Sequence, residues 1–206
     1  MPAPKIAAVE FLDALPAPGA SGQARARVAL DAGRDCVFLA ATYDRPAAWT
    51  KEGGGFWFGE PTLYVRRLDA QAIRAAAEAM AAELGGFWLR YYRASPGRPS
   101  TVGLGAARLD REEPGRAVLE AVLKDGREFS MLAADPDWWR EELERRGFDF
   151  YFGPQAIFLK PLDGKRARAA AKAMAARDEQ LFCRYDTPRR TLGEILDAFS
   201  AARARG

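Results

Sequence analysis

The sequence predicts an α+β protein made of two tandem homologous repeats, each a hairpin, a short helix, a strand, a long helix and a strand, with mixed sheets and approximate internal two-fold symmetry. Three observations predict it. Residues 56–91 recur as 150–185 at a constant offset of 94 without a gap, and 15 of those 36 positions are identical. The match continues upstream with small gaps, where Val28–Asp31, Gly33 and Asp35–Ala41 meet Val118–Lys124, Gly126 and Glu128–Ala134. Within each copy, short apolar runs bounded by Gly, Pro and Asp alternate with alanine-rich stretches, so strand and helix signals succeed one another.

The elements follow in order. Leading strands are read at Lys5–Asp13 and Thr101–Leu109. Each copy then has two apolar runs around a Gly-containing turn, and Asp125-Gly126 is the stronger hairpin signal because a tight turn needs positive φ. Asp135-Pro136-Asp137 puts an N-cap acid before a proline at the first helical position, so Trp138–Arg146 reads as a helix ending at Gly147. Its counterpart is Asp44–Glu52, closed by Gly53-Gly54-Gly55. Strands follow at Thr62–Leu68 and Ala156–Leu162, with Asp69 and Asp163 as caps for helices over Ala70–Leu84 and Lys165–Arg177, where alanine dominates. Final strands are expected at Phe87–Arg93 and Leu181–Asp186, each parallel to the strand before the long helix. Pro, Gly and Ser concentrate just past the first copy, which gives repeat 1 at 1–94, a linker at 95–100 and repeat 2 at 101–190. Thr191-Leu192-Gly193-Glu194 is a capping box that opens a C-terminal helix over 191–206. A further Pro/Gly/Ser cluster at Pro16–Gly22 reads as a surface loop.

Composition removes several chemistries. The chain has no histidine, so histidine bases, Ser-His or Cys-His pairs and histidine metal sites have no residue to use. Two cysteines, Cys36 and Cys183, lie far apart in apolar runs and read as buried thiols in a reducing compartment. No metal and no cofactor is expected. With 31 basic and 28 acidic residues the net charge of +3 is too small to announce a nucleic-acid binder, and no apolar run is long enough to span a membrane. The N-terminal stretch lacks the layout of a secretory signal, so a cytoplasmic protein is expected.

Strand parity nominates one surface. With side chains alternating, Tyr64 and Arg66 share a face, as do Trp88 and Arg90, and in the second copy Phe158 and Lys160, then Phe182 and Arg184. Arg66, Trp88, Arg90, Lys160, Phe182 and Arg184 are therefore the candidate ligand-binding residues, with aromatics to stack and cations to neutralise an anion. The competing reading is a second buried layer, with Trp49, Trp138 or Trp139 packing from the short helix and the charged stems snorkelling past. Trp138 and Trp139 point about 100° apart on a helix, so one enters the core and the other is free to anchor an interface. Gly103-Leu104-Gly105-Ala106 imitates a phosphate-binding turn but lacks the strand and helix context and reads as plain loop or strand. The acid pairs Asp135/Asp137, Glu112/Glu113 and Glu141/Glu142 read as a helix cap, a charged loop and a solvated helix face, and no catalytic residue is assigned.

Three function classes stay open. The leading one is a non-enzymatic binding or regulatory protein acting through a protein interface, with another protein or a second copy of itself as partner. The alternatives are an anion, nucleotide or nucleic-acid binder using the duplicated Arg/aromatic face, and a histidine-independent enzyme with carboxylates between the repeats.

Overall fold

The computed structural model describes residues 5–17, 19–31, 33, 35–83, 102–153, 155–177 and 180–186. In chain order the first elements are β1 (Ile6–Phe11), β2 (Gln23–Leu30), β3 (Asp35–Thr42), α1 (Arg45–Glu52), β4 (Phe56–Trp57), β5 (Thr62–Val65) and α2 (Ala70–Ala82). They are followed by β6 (Leu104–Glu113), β7 (Arg116–Leu123), β8 (Glu128–Ala134), α3 (Pro136–Arg145), β9 (Phe150–Tyr151), β10 (Ala156–Leu159), α4 (Gly164–Arg177) and α5 (Gln180–Tyr185). These elements form two compact units, each with its own mixed five-stranded sheet. The first unit takes its described residues from segments 1–46, 59–96 and 140–152, the second from 47–58, 97–139 and 153–206.

The first unit's sheet runs β1-β2-β3-β5-β9. β1, β2 and β3 are antiparallel neighbours, β3 and β5 are parallel, and β9 closes the edge antiparallel to β5. Alternation along β2 and β3 sends Ala24, Ala26, Val28, Cys36, Phe38 and Ala40 inward. β5 lies between two strands, and Leu63, Tyr64 and Val65 are all fully buried. The Asp69 carboxylate caps α2 by accepting from the Ala72 amide at 2.8 Å. The helix presents Ile73, Ala76, Ala77, Met80 and Ala81 to β1 and β2. Fully burying Ile73 and Met80 stabilises the layer by about 1.5–3 kcal/mol each.

The second unit's sheet runs β4-β10-β8-β7-β6, again with one parallel pair, β8 and β10. α4 buries Ala167, Ala170, Ala171, Met174 and Ala175 into a core that holds Leu119, Phe129, Met131, Ile157 and Leu159. Asp163 caps α4 through the Arg166 amide at 2.8 Å. Asp135 caps α3 through the Asp137 amide at 2.8 Å, and Gly147 ends that helix segment at φ +70.

The fold departs from the sequence reading in four places. Parallel pairs form as β3/β5 and β8/β10, across the shorter helices α1 and α3, and the pair expected across the second long helix does not form. The crossover of about a dozen residues that parallel strands require is available there. Next, the expected strand at Leu181–Asp186 is the helix α5. Leu181, Phe182 and Tyr185 are buried, a spacing of one and three that fits a helical face and not a strand face, and it turns Cys183 outward. The first copy's Phe87–Arg93 and the helix expected over 191–206 lie outside the described residues. Finally, β5 and β10 stop at Val65 and Leu159, so Arg66 and Lys160 stand beyond the strand ends and not on a sheet face. Glu112 and Glu113, read as loop, belong to β6.

The thiols therefore separate. Cys36 is buried and Cys183 is exposed, which corrects the expectation of two buried thiols. Brief iodoacetamide treatment of native protein followed by peptide mass spectrometry should alkylate Cys183 and spare Cys36. Equal labelling of both would place Cys36 outside the β2–β3 core.

Candidate binding site

The carboxyl ends of the parallel strands β3 and β5 open into a cavity of ≈ 570 Å³ within the first unit. Ligands of open sheets that contain parallel strands favour this position, because the loops leaving the strands diverge there and the following helices begin there. Thr42, Tyr43 and Asp44 lead from β3 into α1, and Arg66 to Asp69 lead from β5 into α2. Arg140 and Glu144 on α3 and the loop from Leu15 to Ser21 complete the walls.

Local hydrogen bonding sets this geometry. Thr42 is buried and is anchored at both its backbone and its hydroxyl: its amide donates to the Gly22 carbonyl at 3.0 Å, and the Gly22 amide donates to its Oγ1 at 3.0 Å. The hydroxyl donates in turn to Asp44 Oδ1 at 2.6 Å. Burial pushes the Asp44 carboxyl up, but hydrogen bonds from the Thr42 and Ser21 hydroxyls, aided by the Arg140 charge, outweigh it and hold Asp44 below its ordinary value. Asp44 is thus an anion at neutral pH. The buried Tyr43 hydroxyl donates to the Phe148 carbonyl at 3.0 Å, which ties the β3 end to the segment after α3.

The guanidinium groups differ in occupation. Arg67 lies 3.6 Å from Asp69. Arg66 is exposed, its backbone amide donates to the Asp149 carbonyl at 2.8 Å, and its guanidinium has no ion pair among the described residues. With Arg66, Arg67 and Arg140 against Asp44, Asp69 and Glu144, the lining carries both signs in equal number.

Among the described residues nominated as ligand-binding by strand parity, none stands on a strand face: Arg66 and Lys160 follow strand ends, and Phe182 and Arg184 are on a helix. Tyr64 and Phe158 are fully buried, so the aromatic side of each sheet is a second core layer. Phe182, nominated as a ligand contact, is fully buried with its ring 5.3 Å from Phe129. Arg184 is half-buried on α5, since the chain there is helical. Lys160 directs its ammonium to Asp137. Trp88 and Arg90 lie outside the described residues. Of the proposed interface pair, Trp139 is 1% exposed with its ring edge-on to Phe158 at 5.5 Å. Trp138 is half-buried, with the Arg116 guanidinium 6.0 Å from its ring centre. Neither tryptophan is a free anchor. Glu142 is taken up by Arg145 at 2.7 Å and Arg146 at 2.5 Å on its own helix.

Sequence reasoning missed Thr42, Asp44 and Arg140 as site residues. The signal was in the comparison of copies. At the upstream offset of 93, Gly22 aligns with Gly115 and Arg45 with Trp138, and Asp135 donates its amide to the Gly115 carbonyl as Thr42 does to Gly22. In the second unit Trp138 packs over Gly115, whereas in the first Pro16 packs over Gly22 and the loop that carries it lines the cavity.

No family model, curated protein or solved structure matches the chain. Among the described residues no group of three His, Cys, Asp or Glu side chains is arranged to hold a metal ion, and no helix is long and apolar enough to cross a membrane.

Proposed function

We propose that this is a binding protein for a small organic carboxylate that also carries a cationic or polar group, of the amino-acid class, held in the first unit's cavity. The observation that carries the reading is the presence of an exposed Arg66, without an ion pair among the described residues, and a structurally held Asp44 anion in one cavity at the carboxyl ends of two parallel strands. An arginine fork takes a carboxylate bidentately, and the anion opposite favours a cation on the same ligand. The three lining carboxylates disfavour a multiply charged phosphate there. Binding without catalysis is the better reading because Asp44 is held charged and so is a poor proton donor at neutral pH. The leading protein-interface reading of the sequence loses the support of the Trp pair, since Trp139 is buried and Trp138 packs over Gly115.

The same proposal includes tandem duplication with approximate two-fold symmetry. It is supported by the offset of 94 and by pairing register: Tyr64 pairs with Tyr151 in one sheet, and Phe158 pairs with Trp57 in the other, each pair mapping onto the other under that offset. Each copy would then lend its short strand to the sheet of the other.

Isothermal titration calorimetry with glutamate tests the site. Millimolar or tighter binding to the full chain is expected, weakened at least tenfold by Arg66→Ala and by Asp44→Asn. The absence of any heat with glutamate, arginine and citrate, or affinity unchanged in Arg66→Ala, would reject the reading.

A further inference from the structure

The second unit holds a different cavity, ≈ 600 Å³, lined by Ala47, Ala48, Thr50 and Lys51 of α1, by Gly54 and Gly55, and by Lys160 and Arg166. Every ionisable residue in that lining is a cation. Carboxylates touch two of them from outside the lining, Asp137 on Lys160 and Asp163 on Arg166 Nη1 at 2.9 Å. These fix the cations in place without filling the space. Arg166 Nε is buried without a hydrogen-bond partner, and Nη2 has no partner among the described residues.

The backbone is shaped to seat that guanidinium. Gly55 has φ +106, and a Cβ built on it would lie 2.6 Å from Arg166 Nε. Only glycine suits both the conformation and the approach. Carbonyl bonds fix the turn, with the Lys160 amide donating to Gly55 at 2.9 Å and the Gly55 amide donating to Thr50 at 2.8 Å.

The aligned positions show that this arrangement is specific to one copy. At the offset of 94, Gly55, Lys160 and Arg166 correspond to Asp149, Arg66 and Ala72. In the first unit those residues border a cavity of only ≈ 140 Å³, with Asp149 in its lining. The glycine and the arginine go together in one unit, and the acid and the alanine in the other. A guanidinium needs the space that the glycine leaves, and an acid at that place would neutralise it.

We infer that the second unit carries an oxyanion site in which Lys51, Lys160 and Arg166 bind a phosphate group. Three cations and no lining carboxylate suit a multiply charged phosphate, the opposite of the mixed lining in the first unit. The site stands on its own geometry and does not depend on the carboxylate reading of the other cavity.

Pyrophosphate is the probe, titrated into the full chain by calorimetry at low and at moderate salt. One saturable site is expected, weaker at the higher salt. Lys51→Gln and Arg166→Ala should each weaken it at least tenfold, while Arg66→Ala leaves it unchanged. Both substitutions are mild: Lys51 is exposed, and alanine is the residue aligned with Arg166 in the first copy. Circular dichroism melts of each variant should match the parent. No saturable pyrophosphate binding, binding that survives the Lys51→Gln/Arg166→Ala double variant, or equal loss in Arg66→Ala would each overturn the assignment.

Discussion

Trp139→Ala is expected to lower stability by about 3–5 kcal/mol. The side chain is 1% exposed, is among the largest fully buried ones, and meets Phe158 edge-on at 5.5 Å with an interplanar angle of 82°. Truncation removes that aromatic contact as well as the buried area, and the sheet beneath is too constrained to collapse into the space. Urea unfolding followed by circular dichroism should show the midpoint fall with little change in slope. An interface anchor would behave differently, with stability retained and the oligomeric state changed. A loss below about 1 kcal/mol together with altered light scattering would return Trp139 to the surface role that its sequence position first suggested.

Gly115→Ala is the second large effect, and Gly126→Ala is its internal control. Both glycines have φ +87, so alanine pays the same left-handed backbone term of about 1–2 kcal/mol at each. They differ in what surrounds them. A Cβ at Gly126 meets nothing within 4 Å, whereas at Gly115 it falls 2.2 Å from Trp138 Cγ and 2.6 Å from Trp138 Cβ. Those are atoms near the root of the side chain, so the ring cannot swing clear without α3 moving. Gly115→Ala should therefore cost about 1–3 kcal/mol more than Gly126→Ala. Trp138→Ala in the Gly115→Ala background should recover most of that excess, a coupling that a double-mutant cycle reads directly. Equal costs at the two glycines would show that Trp138 does not pack on the turn.

Much of the local structure was legible because its causes are local. Asp69, Asp135 and Asp163 cap helices where an acid precedes an alanine-rich or proline-led segment, and Asp125-Gly126 turns a hairpin. The alanine stripes place α2 and α4 on their sheets. These features depend on propensity and on bonds spanning three or four residues, which the chain carries in its order. The mixed α+β class follows from them.

The candidate site was less legible. Arg66 and Lys160 were nominated, yet as members of a sheet face, because nothing in the sequence marks Val65 and Leu159 as the last paired residues. Phe182 misled for a related reason: five alternating residues fit a strand and a helical turn equally until the core selects Leu181, Phe182 and Tyr185. Such choices are tertiary, since short apolar runs have no period of their own long enough to decide.

What the sequence by itself determined is the two alanine-rich helices, the helix caps and the hairpin turn, the mixed class and the absence of any histidine for acid–base or metal chemistry. Only the tertiary structure decided which strands pair in parallel, where each strand ends, and which residues line the cavity described in each unit. The physical reason is range. A cap is settled by a carboxylate and an amide three residues away, whereas the cavities depend on approaches such as Arg166 lying over Gly55, between segments far apart in the chain that no local pattern encodes.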